Sequence, residues 1–238
     1  MARVALERWQ AEFVRVTCFY GVGRPMPTKV WEVLTTIAPE TRNELLAAQA
    51  VTEQGPFRDG RLICSTTPGR MDVVYHGVAT GGFPSLGSVQ SAQSALVDLI
   101  SEHVEFFTHA SRVAFGMTAT IPVSAREDGY RILGELLSGV TVDVESRDLF
   151  YQINRPRESR LMPGTEINRL SKWSAAQITQ FSTSTGASSA LPIFGVRCEV
   201  DLSTAPEVLL QLNTQDLRGL LDEFTALSRE MFEEGDIK

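Results

Sequence analysis

Arg58-Asp59-Gly60-Arg61-Leu62-Ile63-Cys64-Ser65-Thr66-Thr67-Pro68-Gly69-Arg70-Met71 is the stretch that decides the fold class. Asp-Gly and Pro-Gly are tight-turn pairs, because glycine takes a positive φ without a side-chain clash and Asp or Pro suits the position before it. Two such turns bound a strand at 60–66 and imply neighbours at 50–57 and 71–79, which predicts an antiparallel meander.

Outward from the meander, residues 12–20 alternate, setting Val14, Val16, Cys18 and Tyr20 on one side of another strand. Gly21, Gly23, Pro25 and Pro27 end it. Thr28 is placed to cap a helix carrying Val30, Trp31, Leu34 and Ile37, and a short polar helix is expected at 40–49. Ser88 suits the cap of a long helix over 88–108, with Val89, Ala92, Leu96, Leu99, Ile100, His103 and Phe107 on its buried side.

The second half repeats the order. A strand is expected at 111–121, then a helix from Ser124 in a capping box with Glu127, then strands at 140–154, 165–182 and 194–202. Asn213 and Asp216 open a last helix over 214–233 whose apolar stripe runs from Leu217 to Phe232. Strands grouped between helices predict an α+β chain, mainly antiparallel sheet backed by two long helices. The pattern is a pseudo-repeat of strand, helix, three strands, helix, with halves of about 1–110 and 111–238 in one domain spanning 1–238. The polar run 182–190 is expected as a mobile loop at the sheet rim, since ordering it costs entropy with little burial in return.

With 238 residues, 43% hydrophobic content and 21% charged, the chain has the composition of a globular protein. A net charge of −7 opposes general binding to duplex nucleic acid, which needs many cations. Neither a signal segment nor an apolar run of about 20 residues is present, so a cytoplasmic location without membrane contact is expected. Cys18, Cys64 and Cys198 are three well-separated thiols with neither disulfide nor zinc spacing, and are expected to be buried and reduced.

Motifs for chemistry are sparse, and no cofactor or metal is expected. Gly82 and Gly87-Ser88 have phosphate-loop spacing, yet Ser88 stands where that loop needs lysine. His76, His103 and His109 are not spaced as a metal pair on one helix face. Asp143 and Glu145 alternate on the expected strand near Asp148, either as a solvated face or as an acid–base pair.

Ile153-Asn154-Arg155-Pro156 is answered by Ile167-Asn168-Arg169-Leu170 and Lys172-Trp173 across a Pro163-Gly164 turn. Between Arg147 and Lys172 stand six basic residues against three acidic ones. Arg155, Arg157, Arg160, Arg169 and Lys172 suit carboxylates or phosphates, Asn154 and Asn168 both donate and accept, and Trp173 is a candidate anchor. The competing reading has the two asparagines bracing the hairpin and Trp173 in the core. The acidic end Glu230, Glu233, Glu234 and Asp236 offers a route to a homodimer by docking on the hairpin of a second copy.

The order of strand, hairpins, long helix, Arg112-Val113 strand, helix, Asn168-Arg169-Leu170-Ser171-Lys172-Trp173 and final helix resembles a sporadically distributed family of uncharacterised bacterial proteins over nearly the whole chain. Where that family usually has an aromatic or basic pair, Phe115-Gly116-Met117 stands here. The resemblance implies an accessory or defence-associated role and supplies no activity. The expectation is a non-enzymatic protein that recognises a protein partner through the hairpin. The alternatives are a single-stranded nucleic-acid binder using the same residues and a hydrolase-like enzyme using Asp143 and Glu145.

Overall fold

The computed structural model describes residues 4–21, 23–182, 189–206 and 210–236. In chain order the elements are β1 (Gln10–Phe19), α1 (Val30–Thr35), β2 (Thr41–Leu45), β3 (Ala50–Phe57), β4 (Gly60–Thr67), β5 (Arg70–His76), α2 (Val89–Glu102), β6 (Arg112–Val123), α3 (Arg126–Leu136), β7 (Phe150–Asn154), β8 (Arg157–Glu158), β9 (Glu166–Ser182), β10 (Ser189–Thr204) and α4 (Thr214–Glu234). The strands form one 10-stranded sheet in the order β2-β3-β4-β5-β1-β6-β10-β9-β7, with β8 beside β9. Every pairing is antiparallel.

Period-2 alternation gives the sheet two unlike faces. One carries Val14, Val16, Cys18, Val113, Phe115, Met117, Val196 and Val200, all buried. Helices α2 and α4 pack there and meet through the fully buried Gln93, whose amide donates to Ser228 Oγ at 2.7 Å and accepts from Arg229 Nε at 2.6 Å. The other face is charged: Arg15 pairs with Asp201 at 3.1 Å, Thr17 donates to Asp72 at 2.6 Å, and Arg197 pairs with the buried Glu12 at 2.8 Å. All three cysteines are free and buried.

Several expected elements differ. Residues 40–49 form β2 and a 3-10 turn (Leu46–Ala48) rather than a helix, because pairing with β3 sets Arg42 against the buried carboxylate of Glu53. The long helix ends at Glu102 and continues only as a 3-10 segment, Val104–Phe107. Ser124 is not the cap of α3: Ala125 is, with no side-chain cap bond. Only Phe150–Asn154 of 140–154 is a strand. Between α1 and α2 lie four strands where three were expected. Asn213 does close a capping box with Asp216 on α4. The central residues of the 182–190 loop lie outside the described residues.

Candidate functional site

The hairpin residues do not gather on one accessible surface. Alternation along β9 turns Arg169 and Trp173 toward the helices and Asn168 and Lys172 toward the charged face. Trp173 is 0% exposed and packs edge-on to Trp9, ring centroids 6.1 Å apart, while Trp9 donates from Nε1 to the Phe232 carbonyl at 2.9 Å. An accessible tryptophan anchor is therefore replaced by a core tryptophan.

The asparagines brace the two strands. Asn154 Nδ2 donates to Asn168 Oδ1 at 2.9 Å, and Asn154 Oδ1 accepts from the Arg169 amide at 2.9 Å. Arg169 is buried and donates from Nε to the Arg155 carbonyl at 2.9 Å; burial, then the neighbouring Arg157, lowers its pKa.

The remaining hairpin cations face carboxylates of the same chain. Arg155 grips Asp236 with two bonds of 2.6 and 2.7 Å, and Tyr151 donates its hydroxyl to the same carboxylate at 2.7 Å. The Arg155 bond holds the Asp236 carboxyl below its usual range, and the Asp236 bond pushes the Tyr151 phenol up. Arg157 lies 3.7 Å from Glu230, and Lys172 lies 3.5 Å from Glu199. Glu223 on α4 accepts from Ser159 Oγ and from the Arg160 amide, at 2.6 and 2.8 Å. Only the Arg160 side chain projects into solvent without a carboxylate partner among the described residues. The acidic end of α4 thus meets the basic hairpin within one molecule, so the contact expected to join two copies is already made internally.

Asp143 and Glu145 lie off any strand and are exposed, with Asp143 Oδ1 accepting the Glu145 amide at 2.9 Å in a turn. Near Gly82, Ser85 Oγ accepts from the Gly87 amide at 3.1 Å and Ser88 Oγ from the Ser91 amide at 3.1 Å, so side chains of the connection occupy amides at the helix start. Among the described residues no three His, Cys, Asp or Glu side chains gather as metal ligands. Burial pushes the Cys18 thiol up to about 12, which leaves it protonated at neutral pH.

A different surface is open. Between the 20–28 connection and the β2–β3 hairpin lies a groove of about 880 Å³, walled by Tyr20, Arg24, Met26, Arg42, Leu46 and Val51. Gly23 takes a positive φ of 90° in this wall. The Arg24 guanidinium lies 4.4 Å from the Tyr20 ring centroid and donates to the Thr108 carbonyl at 2.8 Å. Beside the groove runs β2, an edge strand exposed at all five positions, followed by Leu46 at 84% exposure. The sequence signal for it was weak, because Thr41-Arg42-Asn43-Glu44-Leu45 shows no apolar alternation and gains its partner only through β3. No family model, curated protein or solved structure matches this chain.

Proposed function

We propose that this chain is a non-enzymatic protein-binding module whose recognition surface is the β2 edge and the groove beside it. The observation that carries the reading is their adjacency: a strand with one unpaired side next to a mostly apolar groove of about 880 Å³. An edge strand offers a row of backbone donors and acceptors to an incoming extended segment, and a flanking groove selects its side chains. The occupant is an extended protein segment with alternate apolar residues and an acidic group toward Arg24, which has no carboxylate partner among the described residues. The hairpin favours a bracing role over nucleic-acid binding, since Arg155, Arg157 and Lys172 already face Asp236, Glu230 and Glu199.

Two broader inferences accompany this one. The halves read as a pseudo-repeat, since β1 and β6 pair at the centre and each leads into a helix, a group of strands and a second helix. The resemblance to sporadically distributed bacterial proteins fits an accessory or defence-associated component acting in the cytoplasm.

Selection from a displayed library of random peptides tests the reading. Captured peptides are expected to show alternating apolar residues and to be lost on Met26→Asp or Leu46→Asp, while Arg160→Ala retains them. Capture of no peptide, or capture insensitive to both groove substitutions, overturns it.

A further inference from the structure

We infer that the β2 edge pairs with the β2 edge of a second copy of this chain, giving an isologous two-fold dimer in which Arg42 of each copy faces Glu44 of the other. The inference rests on the reading of this edge as a protein-binding surface and commits the strand edge itself, as distinct from the groove, to a second copy of this chain.

The argument comes from register. A two-fold axis perpendicular to the sheet at β2 makes the two edge strands antiparallel and keeps both helix layers on one side. Residues directly opposite one another then share a face, so a strand residue can face only residues an even number of positions away in the same strand, or its own copy. Arg42 and Glu44 share the helix side of β2, since Arg42 lies opposite the buried Glu53 and Glu44 opposite Val51 in the β2–β3 pairing.

Centring the axis on Asn43 sets Arg42 opposite the second copy's Glu44, Glu44 opposite its Arg42, and Thr41 opposite its Leu45. Moving the axis one residue either way sets Arg42 on Arg42 or Glu44 on Glu44. Opposite charges facing across strands stabilise pairing and like charges oppose it, so the charges select one register. The same register keeps every outward backbone group of β2 facing an outward group of the second copy, whichever alternate residues point outward.

Exposure at this edge agrees. Arg42 bonds Glu44 Oε1 along the strand at 2.8 and 2.6 Å and is anchored by Glu53 and the Thr28 carbonyl through Nη1, so both charges of the pair are fixed at the edge before a second copy arrives. Leu45 is 66% exposed at this edge. The opposite edge, β7, carries no charged residue from Phe150 to Asn154, so nothing there selects a self-complementary register. An exposed edge strand is a template for pairing, its charges admit only a partner that matches them, and a closed two-fold pair leaves no free β2 edge on which further copies add.

Sedimentation velocity on the full chain over a rising concentration series, with hydrogen–deuterium exchange on the same samples, tests this. The expected result is a monomer–dimer equilibrium in which amides 41–45 gain protection as concentration rises while β7 amides do not. Glu44→Arg is expected to weaken the dimer on the order of ten-fold or more, because it faces the second copy's Arg42, and Glu44→Gln to weaken it less. Thermal melts of both variants, which change an exposed side chain, establish that they fold.

A dimer that survives Glu44→Arg with its protection elsewhere overturns the inference. A chain that stays monomeric up to about 1 mM, a dissociation energy near 4 kcal/mol, also overturns it. Peptide capture in the groove by such a monomer leaves the protein-binding reading standing without the dimer. A β2 dimer that captures no peptide, even at concentrations where it dissociates, removes the extended-segment reading alone.

Discussion

At the scale of single residues, Asp236 gathers the most consequence. It receives Arg155 and Tyr151 at once and ties the edge of β7 to the end of α4. Charged hydrogen bonds of this kind contribute about 1.5–3 kcal/mol, so Asp236→Asn is expected to cost about 2 kcal/mol at neutral pH. Because the folded pKa of Asp236 is lowered, its stabilisation is complete above the ordinary carboxylate range and is lost as pH falls through that lowered value. The folded pKa of Tyr151 is raised, so its contribution is complete below the ordinary phenol range and is lost as pH rises through the raised value. Denaturant titrations of wild type and Asp236→Asn should therefore differ by a plateau from about pH 5 to about pH 9 that falls at both ends. Tyr151→Phe should remove the alkaline fall and keep the acid one; a difference flat from acid to alkali would mean that the latch does not form in solution. Trp173 acts differently. It is wholly buried against Trp9, so Trp173→Ala should cost about 3–5 kcal/mol in unfolding free energy. A cost below about 1 kcal/mol would contradict its place in the core.

At the scale of elements, the helix starts differ in how they end their backbone. Helix α4 begins with a reciprocal capping box, the Asn213 side chain accepting from Gln215 and Asp216 amides at 2.8 and 2.9 Å. Helix α3 begins at Ala125, in extended backbone with no side-chain oxygen to accept. Asn213→Ala should cost about 1 kcal/mol, whereas Ala125→Ser should stabilise by roughly 0.5–1 kcal/mol, both read from chemical denaturation. A null effect at either position would show that its first turn is satisfied by other means. The same contrast explains what was legible in the sequence. The α4 cap and stripe, the Asp59-Gly60 and Pro68-Gly69 turns, and the β1 alternation are local signals, and each predicted its element. Strand β2 is tertiary: Arg42 extends there because Glu53, buried beneath α1 and accepting from the Trp31 amide at 2.9 Å, needs a cation beside it. The hairpin was legible both as a cluster of special residues and as an asparagine brace over a core tryptophan, but the carboxylates that its arginines meet within the same chain were not. Its partners Glu223, Glu230 and Asp236 come from the far end of the chain, a pairing that no spacing rule reveals. Alternation along β9 turns Arg169 inward together with Trp173.

At the scale of the whole molecule, the two halves complete one another's core. Strand β1 pairs along its length with β6, and β6 in turn with β10, so the middle of the sheet is the seam between them. Trp9 from the first half donates to the Phe232 carbonyl, the Val4 amide to the Glu233 carbonyl, and Gln93 to Ser228, all on the last helix. Dividing the chain between Ala110 and Ser111 would expose one long side of β1 and of β6 and strip α2 of its partner helix. Residues 1–110 would keep β1 to β5 with α2, but Val14, Val16, Leu96 and Ile100 would lose the cover that α4 and β6 provide. Residues 111–238 would present Val113, Phe115 and Met117 along a raw edge. A core shared this way is expected to unfold as a unit, since each half leaves apolar side chains of the shared core uncovered when alone. Calorimetry of the full chain at a dilution where the monomer prevails should show one transition, with calorimetric and van't Hoff enthalpies equal. The separate pieces should melt without a sharp transition, and mixing them should restore one. Two pieces that each melt sharply alone would instead mean that the β1–β6 seam joins two finished domains.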